Sequence, residues 1–257
     1  MEFRILGPLE VRVVRRAQGQ LPPRLATLLA GLLLNANRVV LTEELIEQVW
    51  GDSMPAKPMV ALQMAVSRLR RMLHGTAADG ARIITRQSAY LLAVEPHQLD
   101  LSSFEQVVQR ARTMAPGDPE AAAVLYRQGL GHWRGPALAD VRLGPSWRAM
   151  ARRLDEARLG ALHERIELDI SLNRHSGLVP ELTVLTGVYP FDERMYHHLM
   201  TALYTTGRRA EALQIYSKAR SALVSDLGIE PGEHLRTLQR VILSNERPAV
   251  RNHQLAE

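Results

Sequence analysis

Apolar residues alternate with period two over residues 3–14, two short strand-like runs close the first 95 residues, and almost no strand signal follows them. Strand side chains alternate faces while helical ones return every 3.6 residues, so the first stretch must combine sheet with helices and the remainder must be helical. Leu9, Val11 and Val13 share one face and Glu10 and Arg12 the other, next to the Gly7-Pro8 turn, which predicts a small antiparallel hairpin or meander over 3–14. Arg82–Arg86 and Tyr90–Val94 predict two short strands around a turn at Gln87-Ser88-Ala89. Three helices fall between. Pro22-Pro23 opens the first, about 24–36. Thr42 serves as N-cap of the second, Glu43 and Glu44 suit its positive end, and Gly51-Asp52 stops it. The third runs over about 59–73, and Gly75–Gly80 reads as a loop.

Pro96–Leu101 reads as a short polar joint, followed by helices over roughly 102–114, 118–132, 145–173, 176–188, 193–206, 208–226 and 232–244. The expected domains are 1–95 and 99–247, with a tail at 248–257. A shift of 34 residues pairs Ile166 with Met200, Ile170 with Tyr204, Asn173 with Gly207, Val179 with Leu213, Leu182 with Tyr216 and Leu185 with Ala219. A shift of 90 aligns Gly117, Ala122, Tyr126 and Gly129 with Gly207, Ala212, Tyr216 and Ala219. A 34-residue helix-turn-helix period is that of tetratricopeptide repeats, whose small residues let paired helices approach closely.

Charge is placed unevenly. The net charge is +5, and residues 54–86 hold Lys57, Arg68, Arg70, Arg71, Arg82 and Arg86 against Asp79 alone, a local excess that suits an anionic partner such as DNA. With no cysteine, disulfides, thiolate metal sites and cysteine nucleophiles are excluded. The N-terminus lacks the pattern of a signal peptide, and the longest apolar run, Leu25–Leu34, broken by Thr27 and Gly31, is shorter than the ~20 residues of a membrane span. A cytoplasmic, nucleoid-associated protein is expected, with no membrane partner and no cofactor. His163-Glu164-Arg165-Ile166-Glu167 lacks the second histidine of a zinc-protease motif, and His197-His198 point about 100° apart on a helix. Gly129, Gly131 and Gly135 follow no strand, and Trp133, Trp147, Tyr196, Tyr204 and Tyr216 sit at core spacing. No enzyme is read from these residues.

The helix over 59–73 carries the functional signal. Leu62, Val66, Leu69 and Leu73 lie within about 60° of one another at ~100° per residue. Lys57, Met64, Ser67, Arg68 and Arg71 occupy the opposite side, with Gln63 and Arg70 on a flank. One side can pack on its own domain while the other offers donors to base edges and phosphates.

Several markers occur together in order: Arg4-Ile5-Leu6-Gly7-Pro8-Leu9-Glu10-Val11, Asn37-Arg38-Val39-Val40, Trp50-Gly51, Val66-Ser67-Arg68-Leu69-Arg70-Arg71, Tyr90-Leu91-Leu92, Trp133-Arg134-Gly135-Pro136-Ala137-Leu138, Gly207-Arg208-Arg209-Ala210-Glu211-Ala212-Leu213 and Leu227-Gly228-Ile229-Glu230-Pro231-Gly232. Through them the chain resembles the Streptomyces antibiotic regulatory protein family from Phe3 to about Arg247. The resemblance implies a mostly α fold: an N-terminal winged helix-turn-helix (α+β) followed by an all-α tetratricopeptide-like helical repeat domain, here a bacterial transcriptional activation domain. It implies an activator of a secondary-metabolite gene cluster. The partners would be double-stranded promoter DNA read as direct repeats, RNA polymerase holoenzyme and a second protomer, as a homodimer or as paired protomers on DNA. Met64, Ser67 and Arg68 would face the groove floor with Gln63 beside them, and Lys57, Arg70 and Arg71 would hold phosphates. Arg86 would enter the minor groove, and backbone N–H groups at Thr42 would meet a phosphate. Two departures stand out: Ser88-Ala89 replace the glycines expected in the wing, and Gln20–Arg24 is shorter and less basic than usual. A repressor sharing the DNA site, and an adaptor using the winged helix as a protein-binding platform, are the alternatives.

Overall fold

A computed structural model describes residues 1–13, 16–17, 21–73 and 81–244. The Gly75–Gly80 loop, the 248–257 tail and Gln20 lie outside the described residues. The first strands are β1 (Glu2–Arg4), β2 (Glu10–Val13) and β3 (Arg16–Ala17), an antiparallel sheet in the order β1-β2-β3 that pairs Phe3 with Val11. Three helices follow: α1 (Pro23–Leu34), α2 (Thr42–Trp50) and α3 (Pro58–Leu73). Strands β5 (Arg82–Arg86) and β6 (Ala89–Ala93) form the second hairpin. The remaining helices are α4 (Asp100–Met114), α5 (Pro119–Leu130), α6 (Pro145–Ser171), α7 (His175–Val188), α8 (Glu193–Thr205), α9 (Arg209–Ala222) and α10 (Glu233–Ser244). Each covers a segment the apolar spacing marks as helical. The fold is mostly α, a winged helix-turn-helix followed by a tetratricopeptide-like helical region.

Two short strands escape the sequence reading, β3 being the first. Strand β4 (Val39–Leu41) joins the second hairpin to give the order β4-β6-β5. Asn37 makes the turn into it. With φ of 61° it occupies the left-handed region that asparagine tolerates better than most residues. Its carboxamide donates to the Val94 carbonyl (2.9 Å) and accepts from the Val94 N–H (3.0 Å), so one side chain sets the register between α1 and β6.

By compactness the chain forms two units. Among the described residues, the first comprises those within 1–116 and 124–162, the second those within 117–123 and 163–244. The first unit therefore extends well past the joint expected at 96–101. That segment is a 3₁₀ turn (Pro96–Gln98) leading into α4, and Asp100 is buried there, accepting the N–H groups of Ile5 (2.9 Å) and Leu6 (3.1 Å). Burial pushes the Asp100 carboxyl up from the ordinary aspartate range, against those N–H groups and the nearby Arg134 guanidinium. The loop after α5 clamps the same strand end. Arg134 N–H donates to the Leu6 carbonyl (2.9 Å) and Leu138 N–H to that of Gly7 (2.8 Å), while Leu9 N–H donates to Asp140 (2.7 Å). Leu138 holds φ of 52°, costly for a branched side chain, and is fixed by burial and those bonds.

A second strap from the same region crosses the helix-turn-helix. Thr27 of α1 donates to the Arg142 carbonyl (2.9 Å), and Gln48 of α2 accepts from the Ser146 N–H (3.2 Å). Trp147, fully buried, lies over Gly31 of α1 and donates its indole N–H to Glu44 of α2 (3.3 Å). A Cβ at Gly31 would fall 2.2–2.4 Å from three ring carbons of Trp147.

In the second unit, α8 packs on α7 and α9, and α10 packs on α8 and α9. The 34-residue register is visible in the backbone: Asn173 (φ 58°) and Gly207 (φ 80°) both turn the chain in the left-handed region. Ile166 and Met200 are both buried, as are Leu182 and Tyr216. After α9 the helix widens to π geometry over Leu223–Leu227 and stops at left-handed Gly228. Buried Asp169 accepts from Arg165 (3.0 Å) and Arg174 (3.0 Å), and those arginines also pair with Glu181 and Glu120.

Candidate nucleic-acid interface

The face of α3 divides as its periodicity requires. Leu62, Val66, Leu69 and Leu73 are buried against the first unit. Lys57, just before the helix, and Gln63, Met64, Ser67, Arg68 and Arg71 are exposed, Met64 by 69%. Among the described residues, Lys57, Arg68, Arg71 and Arg86 make no ion pair or hydrogen bond with another side chain, and no carboxylate neutralises the face they share.

Arg70 behaves differently. It lies on the flank, roughly 70° from the centre of the leucine seam at helical spacing. Its Nε donates to the Ile83 carbonyl (3.0 Å) and its Nη2 to the Thr85 hydroxyl (2.6 Å), both on β5. The guanidinium thus ties α3 to the wing. Periodicity places Arg70 on the flank but does not reveal that a strand stands there.

The wing turn is Gln87-Ser88, closed by the pairing of Arg86 with Ala89, and Arg86 stands exposed beside it. Two-residue hairpin turns ordinarily use left-handed residues. Neither Gln87 nor Ser88 has a positive φ, so the serine that replaces a glycine is accommodated without strain.

Thr42 needs correction as a cap. The cap residue of α2 is Leu41, which offers no side chain to the helix end, and Thr42 is a buried first residue of the helix. Its own N–H donates to the Ser88 carbonyl (2.9 Å) in the wing turn. That N–H is therefore engaged, and what it secures is the wing against the start of α2.

The strap of residues 142–148 on α1 and α2 does not show in the apolar spacing. The signal was present: Thr27 and Gly31, the two interruptions of the apolar run 25–34, are both strap contacts.

Comparison with known proteins agrees with this architecture. Residues 16–90 match the family described as "Transcriptional regulatory protein, C terminal", and residues 99–243 match "Bacterial transcriptional activator domain". The regulatory protein DnrI of Streptomyces peucetius is 35% identical, covering 95% of this chain and 92% of its own length. The transcriptional regulator RedD of Streptomyces coelicolor is 32% identical over 96% of this chain and 71% of its own. A solved structure of Mycobacterium tuberculosis EmbR, in complex with a low affinity phosphopeptide, superposes with a TM-score of 0.87 at 29% identity. It covers 96% of this chain, which spans 65% of the EmbR chain. Among the described residues no helix is long and apolar enough to cross a membrane. With a winged helix whose cationic face is free and both family matches in sequence order, the chain belongs to the Streptomyces antibiotic regulatory protein family, regulators of transcription rather than enzymes.

Proposed function

We propose that this regulator activates a secondary-metabolite gene cluster by binding direct repeats in its promoters and recruiting RNA polymerase holoenzyme. The observation that carries the reading is the free cationic side of α3, with its leucine seam locked inward and Arg86 exposed on the wing. Met64, Ser67 and Arg68 would read base edges, with Gln63 at their side; Lys57 and Arg71 would hold phosphates, and Arg86 would enter the minor groove. Arg70 would reach a phosphate only while keeping its bonds to β5, so its main part here is to hold the wing. N–H groups of the first turn of α2 beyond Thr42 would meet a phosphate.

A single winged helix covers a short half-site. Two protomers on repeats about 10–11 bp apart would lie on one face of the duplex, as homodimer or paired monomers. The domains of this reading are 1–95 for DNA and 99–247 for activation, with a tail at 248–257. A nucleoid-associated, cytoplasmic location follows from this role. The test is fluorescence anisotropy on the promoters neighbouring the gene, with Arg68→Ala and Arg86→Ala. Arg68→Ala should weaken binding about tenfold or more, since a bidentate contact to a guanine contributes roughly 1–3 kcal/mol, and Arg86→Ala should weaken it by removing the minor-groove contact. Unchanged affinity in both would refute the site. In vitro transcription with holoenzyme separates activation from repression: more transcript supports the proposal, less transcript a repressor.

A further inference from the structure

On the side of α2 away from the wing, the first unit encloses a cleft of about 430 Å³. Its walls come from three places: the start of α1, the end of α2 with the turn after it, and the strap before and into α6. Three guanidinium groups line it from separate segments, Arg24, Arg142 and Arg148. Among the described residues, those of Arg24 and Arg142 have no partner, while Arg148 donates one bond to the Leu143 carbonyl (3.0 Å). Glu47 and Asp52 line it from the α2 side, neither ion-paired among the described residues, and Trp50 adds apolar wall.

The cleft is built rather than accidental. Its walls are joined beneath by the Thr27 bond to the Arg142 carbonyl and by Gln48, which is buried and bonded to Ser146 through both its amide oxygen and its nitrogen (3.2 and 3.3 Å). Gly144 is required there: a Cβ would stand 2.4 Å from the Gln48 Oε1 and 2.8 Å from its carbonyl oxygen. Sites for small molecules are mostly preformed, of this size, with a few convergent polar groups. The N-terminus of α2 meets the wing turn, and the cleft lies at its other end, about 13 Å along a nine-residue helix.

We propose that this cleft binds a small anionic metabolite carrying a carboxylate or phosphate together with hydrogen-bond donors. The anionic group meets Arg24, Arg142 and Arg148, whose planar donors suit both oxyanions. The donors face Glu47 and Asp52. An occupant touches α1, α2 and the strap at once, and so stiffens the helix pair that carries α3.

Isothermal titration of the full chain with inorganic pyrophosphate and, separately, 4-hydroxybenzoate tests the site. At least one probe should bind with 1:1 stoichiometry. Its affinity should fall tenfold or more in the Arg24→Gln/Arg142→Gln variant and stay unchanged in Arg68→Ala/Arg71→Ala. Pyrophosphate alone identifies a phosphate ligand, and 4-hydroxybenzoate alone a carboxylate. Neither side chain of the first pair has a partner to lose, so that variant should keep its circular dichroism. Three results overturn the proposal: no binding of either probe, binding that survives the first variant, or binding lost in the second, which would put the anion on the DNA face. DNA binding by the wild-type protein is scored separately, so failure here leaves the promoter reading intact.

Discussion

Replacing Gly31 by alanine should destabilise the first unit, against the ordinary rule for helices. In an open helix the change stabilises by about 1 kcal/mol, the difference in helix propensity. Here the new methyl would sit 2.2–2.4 Å from Cη2, Cζ3 and Cζ2 of Trp147, more than 1 Å inside normal carbon contact. The ring is fully buried and its N–H is held by Glu44, so relief requires moving the strap or the helix. Overpacking of this kind costs about 1–3 kcal/mol, and losing the indole hydrogen bond adds about 1 kcal/mol. The net expectation is a loss of about 1–3 kcal/mol. Trp147→Ala alone should cost about 3–5 kcal/mol. In that background Gly31→Ala should become neutral or favourable by up to about 1 kcal/mol, which gives the pair a coupling of roughly 1–4 kcal/mol. Urea unfolding followed by tryptophan fluorescence reports this directly, because Trp50, Trp133 and Trp147 are all in the first unit. Stabilisation by Gly31→Ala in the wild-type background would refute the interlock.

Three other outcomes follow. Arg70→Met removes both bonds from α3 to β5, and should weaken DNA binding while leaving the dependence of log affinity on log salt unchanged; a slope shallower by about 0.9 would identify a phosphate contact instead. Burial, with His163, His197 and Arg194 nearby and Asp192 and Glu167 opposing, pushes the His198 imidazole down to about 3. The unfolded chain therefore takes up that proton first, so the stability of the second unit should be full above pH 6.5 and decline by about 1.4 kcal/mol per pH unit toward pH 3. Hydrogen exchange in α8, corrected for intrinsic rates, should show that decline, and His198→Asn should flatten it by one proton; an identical slope in the variant would exclude His198 as its origin. Asp100→Leu should cost about 2–4 kcal/mol in urea unfolding by stranding the N–H groups of Ile5 and Leu6, and a loss under 1 kcal/mol would mean that β1 does not depend on this carboxylate.

What the sequence makes legible is local. The α3 seam is readable because Leu62, Val66, Leu69 and Leu73 repeat at helical spacing, and burial follows from that geometry alone. The 34-residue period places Asn173 and Gly207 at equivalent turns. Strand β4 was hidden because three residues, Val39-Val40-Leu41, are too few to show alternation, and what makes them a strand is pairing with residues about fifty positions away. Arg70 and Thr42 were placed on the correct elements, but their partners are set by the wing, which no spacing within α2 or α3 encodes. Asp100 reads as part of a polar joint because its burial depends on the N–H groups of Ile5 and Leu6, 95 and 94 positions upstream. The interruptions at Thr27 and Gly31 carried information that becomes readable only once the strap is seen.

The central claim, that the free face of α3 and the wing lie on promoter DNA, admits a direct measurement. The chain has no cysteine, so Gln63→Cys on the helix flank and Gln87→Cys at the wing turn, both exposed, each give a single attachment point for an iron-chelate DNA-cleaving reagent. Bound to its promoter, each labelled protein should cut in two clusters about one helical turn apart, and a label at exposed Val184 on α7 should not reproduce that pattern. Diffuse or absent cutting by both labels while the protein remains bound would contradict the account.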